Sequence, residues 1–167
     1  MGPISVSTHI DAPREHVFDF LCDLANRPTF TDHVIDDFRL ERLESVGVGA
    51  AARFRLRELG VWMETQIVEV DRPYRISERG RGGRANRIPV VFVWELRPRP
   101  GPGGCEVTLH FWTEPSHHLD RLRERLGAER WYRLHWTGAL ARLKQVIESS
   151  ARVAPVGVAG GARLPVT

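Results

Sequence analysis

The sequence has few cysteines and no long hydrophobic run, and each shortage excludes a class of protein. Cys22 and Cys105 stand far apart among 167 residues, which excludes a disulfide framework or a cysteine-rich metal cluster. No segment of 18 apolar residues occurs, and the N-terminus lacks the basic and then apolar pattern of a signal peptide. We therefore expect neither membrane insertion nor secretion, and we expect a cytoplasmic protein.

Lysine is also scarce, because Lys144 is the only one and the other basic residues are arginines. The formal net charge is +3, but acidic residues are interspersed throughout and no basic block indicates nucleic-acid binding. Residues 79–84 (RGRGGR) with Arg87 resemble an RNA-binding arginine–glycine segment without its interleaved aromatic residues. We interpret them as a mobile hairpin loop, which could cover one end of a cavity, and we expect no nucleic-acid partner.

The hydrophobic periodicity changes along the chain. Alternation predicts a first strand at residues 4–10, and helical spacing predicts a helix at 14–23 and a short irregular one before residue 34. From residue 36 onward the period is 2, and short turns separate about six strands. Consecutive strands with short connections form an antiparallel sheet, which twists and curls.

The spacing of apolar residues over 116–150 predicts one long amphipathic helix, perturbed near Gly127. Its arginine-rich face indicates that the helix lies on the sheet rather than inside a larger core. The expected fold is therefore α+β, with a curved antiparallel sheet of about seven strands around a long C-terminal helix and two short helices after strand 1. We expect one domain at residues 1–150 and a flexible tail at 151–167. Two apolar stripes are predicted on the helix: Leu119, Leu122 and Leu126, followed by Tyr132, Trp136, Leu140, Leu143 and Ile147.

This layout resembles the START/Bet v 1-like superfamily, and within it the bacterial polyketide cyclase/dehydrase and lipid-transport group. The resemblance implies a helix-grip fold whose sheet and last helix enclose a cavity for an apolar small molecule. It covers about residues 3–150. The matching segments are 10–13 (IDAP), 26–30 (NRPTF), 68–76 (VEVDRPYRI), 94–96 (WEL), 103–107 (GGCEV) and 140–144 (LARLK).

Strand alternation predicts which side chains would line such a cavity. The same side chains could instead contact one another in a filled core, and the residues alone favour that alternative. An aromatic lining suits a ring-containing or lipid-like ligand. The predicted inward residues are Phe54, Leu56, Trp94, Leu96, Leu109 and Phe111 of the strands, facing Trp136 and Leu140 of the helix.

Three polar or mouth positions complete the candidate site. Phe30 and His33 would lie near the cavity mouth if the resemblance holds, and the alternative is a surface loop with one capping aromatic ring. Glu64 would be a polar anchor if it faces inward, although a surface ion pair with an arginine is the simpler interpretation. His117 and His118 are adjacent on a predicted helix and point about 100° apart, so we expect no metal site.

Two functions remain open at this point. The first is a carrier or sensor that buries an apolar, aromatic or lipid-like molecule. The second is a polyketide aromatase/cyclase or dehydratase that uses the same cavity, for which the sequence offers no acid/base pair. We expect no cofactor, because the sequence has neither a phosphate-binding glycine loop nor metal-ligand spacing.

Overall fold

The structure, a computed structural model, describes residues 1–83, 86–99, 103–115 and 127–151. These residues form one antiparallel sheet and a long helix, with two short helices between the first two strands. A 3₁₀ turn at Leu24–Asn26 precedes the second helix. The elements are β1 (Ile4–Ile10), α1 (Arg14–Cys22), α2 (Arg27–Thr31), β2 (Ile35–Leu40), β3 (Ala51–Leu56), β4 (Val61–Asp71), β5 (Arg75–Gly82), β6 (Ile88–Pro98), β7 (Cys105–Thr113) and α3 (Glu129–Ala151).

The sheet has seven strands in the order β1-β7-β6-β5-β4-β3-β2, and every pair is antiparallel. Strands β2 to β7 follow one another as a meander, and β1 adds to β7 at the far edge. The sheet curls into a half-barrel, as a twisted sheet of this size tends to do. This confirms the predicted helix-grip architecture, including the strand count and the two short helices after β1.

Helix α3 lies along β1 and runs in the same direction as that strand. Near its start the Arg133 guanidinium donates to the Ser5 carbonyl at 3.4 Å, and further along the Lys144 ammonium donates to the His9 carbonyl at 2.8 Å. Basic side chains on this flank therefore satisfy backbone carbonyls of the edge strand.

The other flank of α3 contacts α2 and the turn between β3 and β4. Arg142 forms an ion pair with Asp32, just after α2. The Trp131 indole N–H donates to Glu58 in the β3–β4 turn at 2.6 Å. Helix α3 thus bridges the two ends of the curled sheet and closes its concave side.

The predicted apolar stripe on the second half of the long helix is confirmed. Each of its side chains is buried against the sheet, from Tyr132 near the start of α3 to Ile147 near its end. The preceding predicted stripe at Leu119, Leu122 and Leu126 lies outside the described residues, as does the predicted tail beyond residue 151. Within the described ranges, no helix is long and apolar enough to cross a membrane.

The prediction that residues 79–84 form a mobile loop is wrong for Arg79–Gly82, which belong to strand β5 and pair with both β4 and β6. Gly80 is a glycine because the neighbouring strand is too close for a side chain, not because the chain turns there. A Cβ at Gly80 would lie 1.7 Å from the Glu64 carbonyl oxygen. A glycine-rich segment can thus indicate a close approach between strands as well as a loop.

Candidate ligand-binding interior

Aromatic rings form much of the interface between the concave face of the sheet and helix α3. Trp136 of α3 meets Phe92 edge-on with ring centroids 5.4 Å apart, and it lies 5.9 Å from Phe111. Elsewhere in the same core, Phe30 and Trp94 pack with their rings perpendicular and their centroids 6.3 Å apart. Edge-to-face contacts of this kind are favourable beyond the area that they bury.

Nine of the predicted lining residues lie in one continuous buried cluster. This placement agrees with the predicted strand alternation, whereas contact with a ligand stays a prediction. Phe30 is part of this cluster rather than of a surface loop. The nine are Phe30, Phe54, Leu56, Trp94, Leu96, Leu109, Phe111, Trp136 and Leu140.

One charged residue, Glu78, shares the concave face with these apolar side chains. Directly paired residues of neighbouring strands point to the same face, and Glu78 pairs with Ile67 on one side and Phe92 on the other. Phe92 in turn pairs with Phe111. The Glu78 side chain is completely buried, so its charge needs a partner inside the protein.

The partner of Glu78 is Arg27, at the start of α2. The Arg27 guanidinium donates to Oε1 of Glu78 at 2.5 Å, and both side chains are almost fully buried. The Trp94 indole N–H donates to the same oxygen at 2.8 Å, and the guanidinium lies over the Trp94 ring at 5.4 Å from its centroid. The arrangement is a buried ion pair packed on an aromatic ring, and it attaches α2 to strands β5 and β6.

Several buried polar atoms of this interior have no hydrogen-bond partner among the residues that the structure describes. They are Oε2 of Glu78, Oγ1 of Thr65 and Nε1 of Trp136. Buried polar groups are satisfied in the great majority of native structures, by protein or by ordered water. These atoms of the sheet and of α3 are the interior positions at which a water molecule or a ligand would supply the missing hydrogen bond.

His33 lies where α2 and α3 meet, and neither of its ring nitrogens has a hydrogen-bond partner within the described part of the chain. A Cβ on Gly138 would lie 3.0 Å from its Nε2, so the imidazole rests on the backbone of α3. Burial lowers the pKa of His33, and the charges of Arg142 and His135 lower it further, while Asp32 acts in the opposite direction. The ring therefore favours its neutral form at the helix–helix contact.

We expect acidification to destabilise the protein through His33. Because its pKa is lower when folded, its contribution to stability is complete above the unfolded-state value of about 6.5 and is lost as the pH falls below it. Between pH 7.5 and 5.5, the melting temperature of His33→Gln should fall by less than that of the wild type, as calorimetry would measure. Exposed His16, changed to Gln, is the matched control, and equal losses in all three proteins would contradict the assignment.

Glu64 does not belong to this interior: its inclusion as an inward anchor is wrong, and the simpler interpretation, a surface ion pair with an arginine, is the one that the structure shows. Its side chain is 43% exposed and lies 3.6 Å from Arg53 on the neighbouring strand. The inward residues of β4 are Met63, Thr65 and Ile67, which places Glu64 on the outer face by alternation. The preceding run Val61, Trp62 and Met63 is apolar on both faces of the strand, and this concealed the phase.

Sequence reasoning missed Arg27 and Glu78, which carry the interior charge. The signal that could have found Glu78 is its distance of two residues from Ile76, because an inward Ile76 places Glu78 inward as well. Arg27 gave no such signal, because its partner lies 51 positions away along the chain.

The described residues contain no group of three histidine, cysteine or acidic side chains that could hold a metal ion. His117, His118 and Asp120 lie outside the described ranges. The two described cysteines are both buried free thiols, and burial raises the pKa of Cys105 to about 11. A buried thiol of that pKa is a poor nucleophile near neutral pH.

Comparison with protein families gives one match. The protein-family model described as polyketide cyclase / dehydrase and lipid transport matches residues 1–148, which is almost the whole described chain. A comparison with curated proteins gives no significant match.

Solved structures with the same fold come from several bacteria. A protein of Thermus thermophilus is 15% identical, with a TM-score of 0.68 over 90% of this chain and 99% of the other. A protein of Deinococcus radiodurans is 20% identical, with a TM-score of 0.59 over 89% and 99%. DynU16, from the dynemicin biosynthetic locus, is 15% identical, with a TM-score of 0.61 over 89% of this chain and 48% of DynU16. At these identities the likeness shows the fold alone.

Proposed function

Because the chain belongs to the polyketide cyclase / dehydrase and lipid transport family, we propose that it holds an apolar small molecule between the concave sheet and helix α3. The observation that carries this proposal is the group of buried polar atoms on Thr65, Glu78 and Trp136 that have no partner among the described residues, in an interior that is mostly apolar. A filled core would leave each of them with the full cost of burial, about 1–3 kcal/mol for each group.

Binding would be driven by desolvation of the ligand against the aromatic wall. Each square ångström of apolar surface removed from water contributes about 25 cal/mol, and Phe92, Phe111 and Trp136 would supply much of the aromatic wall. The polar atoms would then fix the orientation of the ligand, as a few convergent polar groups do in most small-molecule sites. This division of roles supports a carrier or sensor.

The alternative is an enzyme that uses the same interior, an aromatase/cyclase or dehydratase. One observation favours it, namely the buried Glu78 carboxylate beside the Arg27 guanidinium. A carboxylate with one unoccupied oxygen could accept a proton from a bound chain, and a guanidinium could stabilise a developing oxyanion. DynU16 lies in a biosynthetic locus, which is compatible with this alternative.

Uptake of N-phenylnaphthylamine, a neutral fluorescent probe, tests the common part of both functions. We expect saturable binding with a blue-shifted emission, together with shifts of the Trp94 and Trp136 indole N–H signals in heteronuclear NMR spectra. Trp62 and Trp112 lie on the outer face, so their signals should stay in place and serve as the internal control. Absence of uptake, or shifts confined to the outer tryptophans, would overturn the proposal.

Native mass spectrometry then separates carrier from enzyme. A compound that copurifies and is released unchanged after incubation supports carriage. A compound whose mass changes in the presence of the protein supports turnover, and Glu78→Gln should then abolish the change.

A further inference from the structure

Glu78 has more hydrogen-bonding capacity than the protein uses. A carboxylate offers two oxygens and about four acceptor positions. Arg27 and Trp94 both donate to Oε1, at 2.5 and 2.8 Å. Oε2 accepts nothing from the described protein, although the side chain is 0% exposed.

This one-sided arrangement is unusual for a buried arginine–carboxylate pair. Such pairs are frequently bidentate, with two parallel N–H···O bonds that occupy both oxygens. Here Arg27 reaches Oε1 alone, and the Trp94 N–H adds to the same oxygen. One oxygen is thus held in place by two donors, which fixes the direction of the other.

The surroundings of Oε2 limit what could donate to it. Its cross-strand neighbours are Ile67 and Phe92, and Phe92 packs edge-on against Trp136. These walls are apolar, so a ligand here needs an apolar body with one donor at this place. A second carboxylate would be repelled by Glu78, whereas a neutral hydroxyl would be accepted.

We propose that the ligand of this interior carries a phenol or alcohol hydroxyl, and that this hydroxyl donates to Oε2 of Glu78. The inference rests on the proposed function, since it assigns the ligand class for that same interior. Trp136 Nε1–H, which also lacks a partner among the described residues, would then donate to an acceptor elsewhere on the ligand. Sites built to bind a hydroxyl discriminate strongly against analogues that lack it, because the buried polar group is then left unpaired.

A matched pair of probes tests the proposal. β-Naphthol and its methyl ether share one aromatic frame, and only the naphthol can donate a hydrogen bond. Displacement of N-phenylnaphthylamine would give both dissociation constants. A hydrogen bond to a charged group is worth about 1.5–3 kcal/mol, so we expect the naphthol to bind about tenfold to a hundredfold more tightly.

Three variants assign the preference to Glu78. Glu78→Gln replaces the acceptor. The preference for the naphthol over its methyl ether should then fall below threefold, because the hydrogen bond that distinguishes the two probes is lost. Since Glu78→Gln leaves Arg27 without a charged partner and could fail to fold, Arg27→Met/Glu78→Leu removes both charges and should lose the preference too. Glu64→Gln makes the same change on the outer face of the adjacent strand, and it should keep the wild-type ratio.

The outcomes separate this inference from the function on which it rests. If both probes bind the wild type equally, the hydroxyl assignment is overturned while the apolar interior stands. A preference that persists in folded Arg27→Met/Glu78→Leu would also overturn it, because the donor would then bind elsewhere. If neither probe nor N-phenylnaphthylamine binds, the proposed function fails and the inference fails with it.

Discussion

Replacing Arg27 by methionine is expected to lower the free energy of unfolding by about 3–5 kcal/mol, because it leaves the Glu78 charge buried without compensation. Both side chains of the pair are at most 3% exposed, so water cannot take over the role of the lost partner. Urea denaturation followed by circular dichroism would measure the change. Glu78→Leu should cost a similar amount, since it leaves the guanidinium as the orphan.

The paired variant Arg27→Met/Glu78→Leu should recover most of that loss. Replacing a whole buried ion pair by apolar residues of similar volume is often neutral or stabilising. Arg55→Met is the matched control, because its ion pair with Asp36 is partly exposed and is weakened by solvent screening, so its loss should cost much less. The account would be refuted if Arg27→Met cost no more than Arg55→Met.

The second large effect is expected at Gly80. In Gly80→Ala the new methyl group would lie 1.7 Å from the Glu64 carbonyl oxygen and 2.9 Å from the Thr65 Cα. Both are backbone atoms, so strands β4 and β5 would have to separate. Overpacking typically costs 1–3 kcal/mol and occasionally more. Because this clash is with backbone, we expect Gly80→Ala to lower the free energy of unfolding by about 3 kcal/mol or more. Chemical denaturation would measure the change.

Gly82→Ala provides the control on the same strand and the same face. Its nearest heavy atom would be the Met63 Cγ at 2.9 Å, which belongs to a flexible side chain that can move. We expect a cost of about 1 kcal/mol or less for this change. Equal losses in the two variants would show that Gly80 has no special role in strand pairing.

The fold could be predicted from the sequence because its signals are local. The change of period from 3.6 to 2 near residue 36 and the long apolar stripe of α3 are both visible within short windows. Gly80 was misinterpreted because a glycine required by the proximity of another strand has the same local pattern as a glycine in a turn. Only the register between β4 and β5 distinguishes the two.

The site could be predicted only in part, for a related reason. Apolar inward residues such as Phe54 and Leu109 follow from alternation alone, whereas the facing of Glu64 depended on a phase that its apolar neighbours obscured. Arg27 and Glu78 were missed because charged side chains are ordinarily exposed. The cost of burying these two charges is offset only by the contact between α2 and β5, which no local sequence pattern encodes.

The pairing of the first strand with the last also determines when the protein can complete its fold. Ser5 and His110 lie opposite each other yet are 105 positions apart in the chain. At a synthesis rate of about 5–20 residues per second, β1 emerges roughly 5–20 s before its partner strand. During that interval its apolar face, with Ile4, Val6 and Ile10, has neither β7 nor α3 to cover it. Until β7 and α3 are synthesised, the apolar face of β1 is therefore a segment of the nascent chain that can misassociate, and a chaperone that binds short apolar segments could protect it.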